Sequence, residues 1–138
     1  MRQFGVELYD RWTAMWNGDT GLAGEIMAPE FRLRYAQAGT GAFDDVRRPA
    51  ELADVIAGWH RQRPGLQFLA EGPAVVDMDG YDGTAAPEGI VARPYLASFT
   101  GDDGQVVSRS GTDILRFSGG RITEVWSVSS GAGGRTFY

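Results

Sequence analysis

Phe4, Leu8, Trp12, Met15 and Trp16 recur at steps of three and four residues between Gln3 and Asn17, which gives one helical face an apolar, aromatic stripe; Gly18 stands where that helix should end. Thr20 is a helix-capping residue type. Leu22, Ile26 and Met27 fall on one side of a second, short helix that Pro29 stops. The period then changes. Phe31, Leu33 and Tyr35 alternate with Arg32 and Arg34, the pattern of a strand with one buried face. Residues 39–45 read as a glycine-bearing loop. Pro49 suits a first helical position, and Leu52, Val55, Ile56 and Trp59 continue a buried stripe until Pro64-Gly65 ends a third helix.

Beyond Pro64 the helical period is lost. β-rich segments run over 66–71, 74–78, 90–100, 105–117 and 121–129, with Pro73 marking a bulge or break. Residues 79–89 carry the glycine, proline and acidic residues of an exposed connection, and 101–104 and 118–120 read as hairpin turns. The glycine-rich last eight residues predict a frayed end. Three helices followed by a run of strands with short turns argue for α+β, with helices packed on one face of an antiparallel sheet. There is no internal repeat.

The 138 residues suit one domain spanning 1–138, since a chain of this size buries roughly 68–70% of its unfolded surface. The absence of cysteine excludes disulfides, thiol nucleophiles and thiolate metal sites. Every basic residue is arginine, so Schiff-base chemistry and P-loops fall away, and no Gly-x-Ser-x-Gly elbow is present. The net charge of -5 opposes binding to nucleic acid. The start lacks a secretory apolar run and no segment is long enough to cross a bilayer, so the expected location is cytoplasmic, with no membrane partner. One histidine without a clustered acid pair argues against a transition-metal site, and the glycines form no dinucleotide-binding turn, so no cofactor is expected.

The chemistry concentrates at Asp113, flanked by Ile114, Leu115 and Phe117 on a strand. If its side chain enters a sheltered cavity, desolvation raises its pKa and favours a neutral, hydrogen-donating acid. The competing reading pairs it with Arg109 in a structural ion pair, and Gly111 between them offers a bulge that would change their relative facing. Two hairpin registers remain open. If Gly119-Gly120 alone forms the turn, Asp113 lies across from Trp126 on a face with Leu115, Phe117, Ile122 and Val128; if Ser118 joins the loop, Asp113 shares a face with Val125 and Ser127. Trp12, Trp16, Trp59 and Tyr95 suit either core packing or an apolar pocket. His60 ends a helix, where it suits interaction with a helix C-terminus or solvent. Glu124 reads as a cross-strand or interface charge, and Arg32 and Arg34 as a solvated or interface face.

Trp16-Asn-Gly-Asp19 closing the first helix, Met27-Ala-Pro-Glu-Phe31 entering the first strand, and Thr112-Asp-Ile-Leu-Arg-Phe117 with Gly120-Arg-Ile-Thr-Glu-Val-Trp126 at the end resemble the SnoaL-like polyketide cyclases and ketosteroid isomerases of the nuclear transport factor 2-like superfamily. The resemblance covers nearly the whole chain. It implies a cone-shaped, cystatin-like fold, in which a strongly curved, mostly antiparallel sheet carries three helices on its concave face. It also implies a cavity for a small apolar molecule and a homodimer formed through the sheet, with Val125 or Ile114 on an apolar outer face. Asp113 matches the isomerases' protonated aspartic acid. Trp12 stands near their tyrosine donor and Tyr35 at their aspartate base, while Ser127 stands where the cyclases carry an acid or base. Tyr35 is also similar to a catalytic tyrosine of scytalone dehydratase. The expectation is a cofactor-independent isomerase, cyclase or lyase acting on an apolar cyclic or polyketide-like molecule. Asp113 and Tyr35 would be catalytic, and Trp12, Trp16, Trp59, Tyr95, Arg109 and Ser127 would bind substrate. The alternative is a non-catalytic ligand-binding or dimerisation module of the same fold.

Overall fold

The computed structural model describes residues 1–79 and 81–138, so only Gly80 of the expected 79–89 connection lies outside the described residues. Helix α1 (Arg2–Trp16) buries Leu8, Trp12, Met15 and Trp16, the stripe that the three-and-four spacing marks. A 3₁₀ turn (Thr20–Leu22) leads into α2 (Ala23–Ile26), a single helical turn. Thr20 lies within the 3₁₀ turn and its side chain caps nothing, contrary to expectation; Asp19 precedes the turn. Met27 is extended and opens β1 (Met27–Tyr35) instead of finishing the helix. Pro29 falls where the register of β1 shifts, and a residue without an N–H is tolerated there.

The expected loop at 39–45 contains a second 3₁₀ turn, Gly41–Asp45, whose Phe43 is buried. Its ring stacks on Tyr35 at 4.2 Å, so an apolar residue in a glycine-rich stretch fixes the segment against the strand. Helix α3 (Pro49–Gln62) begins at its proline and buries Leu52 and Ile56.

Six strands form one open, mixed sheet in the order β1-β6-β5-β4-β2, with short β3 also on β4; β2 is Gln67–Ala70, β3 Val75–Asp77, β4 Gly89–Thr100, β5 Val106–Ser118 and β6 Arg121–Ser129. The β1–β6 pair is parallel, and the other strand pairs among the described residues are antiparallel. Pro73 marks the break between β2 and β3 along β4. Core side chains from α1, α2 and α3 meet Val91, Leu115, Phe117, Ile122 and Val125 on one face of the sheet.

The hairpin follows neither register alternative in full. Ser118 pairs with Arg121, so Gly119-Gly120 form a two-residue turn, yet Asp113 faces Ser127 and not Trp126. A bulge reconciles them. Phe117 pairs with Ile122 and Arg116 with Glu124, which leaves Thr123 as an extra residue in β6. The bulge resets the alternation, so Ile122, Val125 and Ser127 are all buried. Val125 is therefore a core residue with 0% exposure and cannot lie on the outer face, while Ile114 pairs with Trp126 on the side away from the core.

Gly111 does not bulge β5. The β4–β5 register runs unbroken from Arg93↔Asp113 through Tyr95↔Gly111 to Ala97↔Arg109, so Arg109 and Asp113 keep one facing. A Cβ at Gly111 would sit 2.5 Å from Tyr95 Oη and 2.7 Å from the Val128 carbonyl oxygen, so glycine lets the tyrosine cross its neighbour strand. The C-terminal tail does not splay away. The Phe137 N–H donates to Ser110 Oγ at 2.8 Å, which folds the glycine-rich end back over β5.

Candidate functional site

The concave side of the sheet and α1 enclose a cavity of about 290 Å³, closed in part by the end of α3 and by the tail at Gly131 and Ala132. That volume falls at the lower end of the range for small-molecule sites. Asp113, Tyr35, Trp12, Trp16, Trp59, Tyr95, Arg109 and Ser127 all border it. Two helices and four strands bring them together. The i, i+4 spacing on α1 presents Trp12 and Trp16, α3 supplies Trp59, and inward positions of β1, β4, β5 and β6 supply the rest.

Asp113 is 7% exposed. The Trp12 Nε1–H donates to its Oδ2 at 2.9 Å, whereas Oδ1 is buried without a hydrogen-bond partner among the described residues. Arg109 makes no ion pair with it, so the salt-bridge reading does not hold: four residues along an extended strand separate their Cα atoms by about 13 Å. Burial pushes the Asp113 carboxyl up to about 6, opposed by the nearby Ser127 hydroxyl and the Trp12 N–H, which favour the charged form. Ionised at neutral pH and protonated not far below it, the group suits proton acceptance more than the neutral, donating state expected from burial alone.

Three phenols surround this acid. Burial, reinforced by the Asp113 charge, raises Tyr35, Tyr95 and Tyr9 well above the ordinary phenol range, so each is a neutral hydroxyl that gives or accepts hydrogen bonds and is no base. Tyr9 is committed to the Arg93 carbonyl oxygen at 2.9 Å. The Ser127 hydroxyl is near enough to Tyr35, Tyr95 and Asp113 to favour the charged form of each, yet it makes no hydrogen bond to Asp113 Oδ1. Trp16 lies within 6.2 Å, centroid to centroid, of Trp12, Phe43, Trp59 and Phe68, and its Nε1–H is, beside Asp113 Oδ1, a further buried polar group at the cavity without a hydrogen-bond partner among the described residues. The tryptophans thus pack together and also wall the cavity.

Several lining residues escaped the sequence reading: Tyr9, Thr13, Phe68, Phe99 and Arg63. Arg63 follows Trp59 by four residues, just past the last residue of α3, and its guanidinium carbon lies 3.7 Å from the Trp59 ring centroid. Phe68 and Phe99 belong to strands whose inward parity only the sheet register reveals. His60 stays out of the cavity lining; its Nε2 meets the Trp16 carbonyl oxygen at 2.6 Å, at the C-terminal end of α1 and not of its own helix. Glu124 bridges strands, pairing with Arg34 and, at 3.5 Å, with Arg116. Arg32 is exposed. No group of three or more metal-ligating side chains occurs among the described residues.

No protein-family model and no curated protein sequence matches the chain. Solved structures do. A candidate polyketide cyclase from Acidithiobacillus ferrooxidans superposes with a TM-score of 0.70 at 16% identity, over 95% of this chain and 91% of that one. A candidate SnoaL-like polyketide cyclase from Jannaschia sp. gives 0.67 at 16% identity, over 93% and 86%. A candidate isomerase of the SnoaL-like family from Agrobacterium tumefaciens gives 0.64 at 18%, over 92% and 97%. These likenesses place the chain in the cone-shaped α+β fold of SnoaL-like, nuclear transport factor 2-like proteins. The same fold carries many chemistries.

Proposed function

We propose that the cavity binds a small cyclic or polyketide-like carbonyl compound and that Asp113 removes a proton from the carbon beside its carbonyl. The observation that carries this reading is the asymmetry of the carboxylate: Oδ2 is fixed by Trp12, while Oδ1 is buried without a partner. A carboxylate held in one orientation, with one free oxygen and a pKa near neutrality, is matched to taking and returning a proton. The C–H electron pair moves into the carbonyl as an enolate, and the developing oxygen charge needs a donor. Trp16 Nε1–H, the other unpaired buried polar group bordering the cavity, and the neutral phenols of Tyr35 and Tyr95 are suited to that task. Return of the proton to another carbon gives isomerisation. Loss of a group from the next carbon gives a lyase reaction, and attack on a second carbonyl gives cyclisation.

The test uses 2-tetralone, an apolar bicyclic ketone, in D₂O, with loss of its α-proton signal followed by NMR. The protein should accelerate exchange over buffer, and Asp113→Asn should lose about 10²- to 10⁴-fold of that acceleration. The rate should rise with pH as the carboxyl ionises through about 6 and level off above it. Exchange no faster than in buffer, or an unaffected Asp113→Asn variant, removes the catalytic role. The second reading is a binding module, favoured by the fact that Asp113 is the one acid among the residues lining the cavity. It predicts that tetralone binds without exchange.

The same reading includes a homodimer through the convex side of the sheet. Ala92 and Ile114 pair there, Ile114 pairs with Trp126, and Thr112 pairs with Val128, which is 45% exposed. A self-complementary apolar patch on a two-fold axis buries these residues in both copies at once.

A further inference from the structure

The cavity carries an unexpected charge distribution. The chain as a whole is acidic, yet besides Asp113 the charged residues bordering the cavity are Arg63 and Arg109. Both arginines are half-buried, and neither forms an ion pair among the described residues. Arg63 is held by its face against Trp59 at 3.7 Å, and its one side-chain hydrogen bond, to Gln62 at 3.5 Å, is long. Stacking by the face leaves the N–H edge of a guanidinium available. Arg109 comes from β5, opposite Ala97, and borders the same cavity; burial, with a smaller contribution from the Arg109 charge, disfavours the charged form of Arg63. Two partly desolvated cations bordering one cavity, neither paired with a carboxylate among the described residues, repel each other unless an anion completes the arrangement.

We infer that Arg63 and Arg109 bind an anionic oxygen group of the ligand, a carboxylate or a phosphate monoester, while its ring system occupies the aromatic hollow towards Asp113. The inference rests on the proposed reading of the cavity as a ligand site and narrows it: the ligand is amphipathic, not wholly apolar. The spacing along β5 supplies a ruler. The Cα atoms of Arg109 and Asp113 lie about 13 Å apart, more than their two side chains together span, so the anionic group and the reacting carbon are separate parts of one small molecule. Guanidinium forks bind both planar carboxylates and phosphates through paired hydrogen bonds, so the arginines alone allow either source.

The experiment is calorimetric titration of the full chain with 2-naphthol, 2-naphthoate and 2-naphthyl phosphate at a pH where only the last two are charged. At least one anion should bind about tenfold or more tightly than naphthol, the size of one charge-assisted hydrogen bond. Which anion binds better identifies the group. The double variant Arg63→Gln, Arg109→Gln should bring both anions down to the level of naphthol, and added salt should shrink the preference in the wild-type protein. Equal binding of all three ligands, or a preference that survives both substitutions, overturns the anion site while leaving the apolar cavity standing. Failure of all three to bind overturns the cavity reading itself. If the double variant does not fold, the salt titration of the wild-type protein decides: a preference indifferent to salt refutes the inference.

Discussion

Asp113 shows how a single carboxyl couples function to stability. Its folded value near 6 lies above the ordinary 3.8, so between about pH 4 and pH 6 the folded state holds protons that the unfolded state has lost. Stability therefore falls as pH rises through that window and is flat above it. Asp113→Asn removes this dependence and keeps an oxygen for the Trp12 N–H. The variant should gain on the order of 3 kcal/mol above pH 6 and close to nothing below pH 4, measured by urea unfolding at both values. A variant less stable than wild type at pH 7.5 would contradict the desolvation account. Activity and stability are thus expected to move in opposite directions at this residue, as at sites where a strained group is retained for chemistry.

Between elements, α1 is anchored to the sheet by the residue that ends it. Asn17 acts on the edge strand β2 as a neighbouring backbone would: its Nδ2–H donates to the Phe68 carbonyl oxygen at 2.9 Å and its Oδ1 accepts from the Phe68 N–H at 2.7 Å. His60 holds the adjacent Trp16 carbonyl oxygen from α3. The end of α1 is thereby tied to both neighbours beside the cavity, because Trp16 and Phe68 are lining residues. Asn17→Ala removes two hydrogen bonds and leaves the Phe68 backbone groups without their partner. It should lower unfolding free energy by about 1–3 kcal/mol in urea titrations and weaken naphthol binding. An unchanged midpoint would mean that water replaces the amide without penalty.

For the molecule as a whole, the sheet separates two apolar surfaces. The inner one is covered by the chain's own helices, while the outer one presents Trp126 and Val128 of β6. Sedimentation velocity should therefore give a species of twice 15.0 kDa, and Trp126→Glu should shift it towards monomer by placing a charge in the shared patch. A wild-type monomer at tens of micromolar would exclude this assembly. The resemblance to SnoaL-like proteins and the solved structures agree on the fold, while 16–18% identity leaves ligand and reaction to such experiments.

Periodicity alone determined the three helices, the strand run and the apolar faces, because 3.6- and two-residue spacings of large side chains are local signals. Asp113 was legible as an acid in an apolar strand, and the aromatic stripe as a wall in search of a cavity. The β6 neighbour of Asp113 was not legible, because it depends on one extra residue, Thr123, whose bulge leaves no mark in composition. Nor was the role of Gly111, which makes room for a tyrosine sixteen positions earlier in the chain. The Arg63–Arg109 pair joins the end of a helix to a strand 46 positions later. Sequence fixes which side chains are apolar and how often they recur; register, strand neighbours and tail placement are set only when the sheet closes its hydrogen bonds, and those contacts decide which polar groups lose water together.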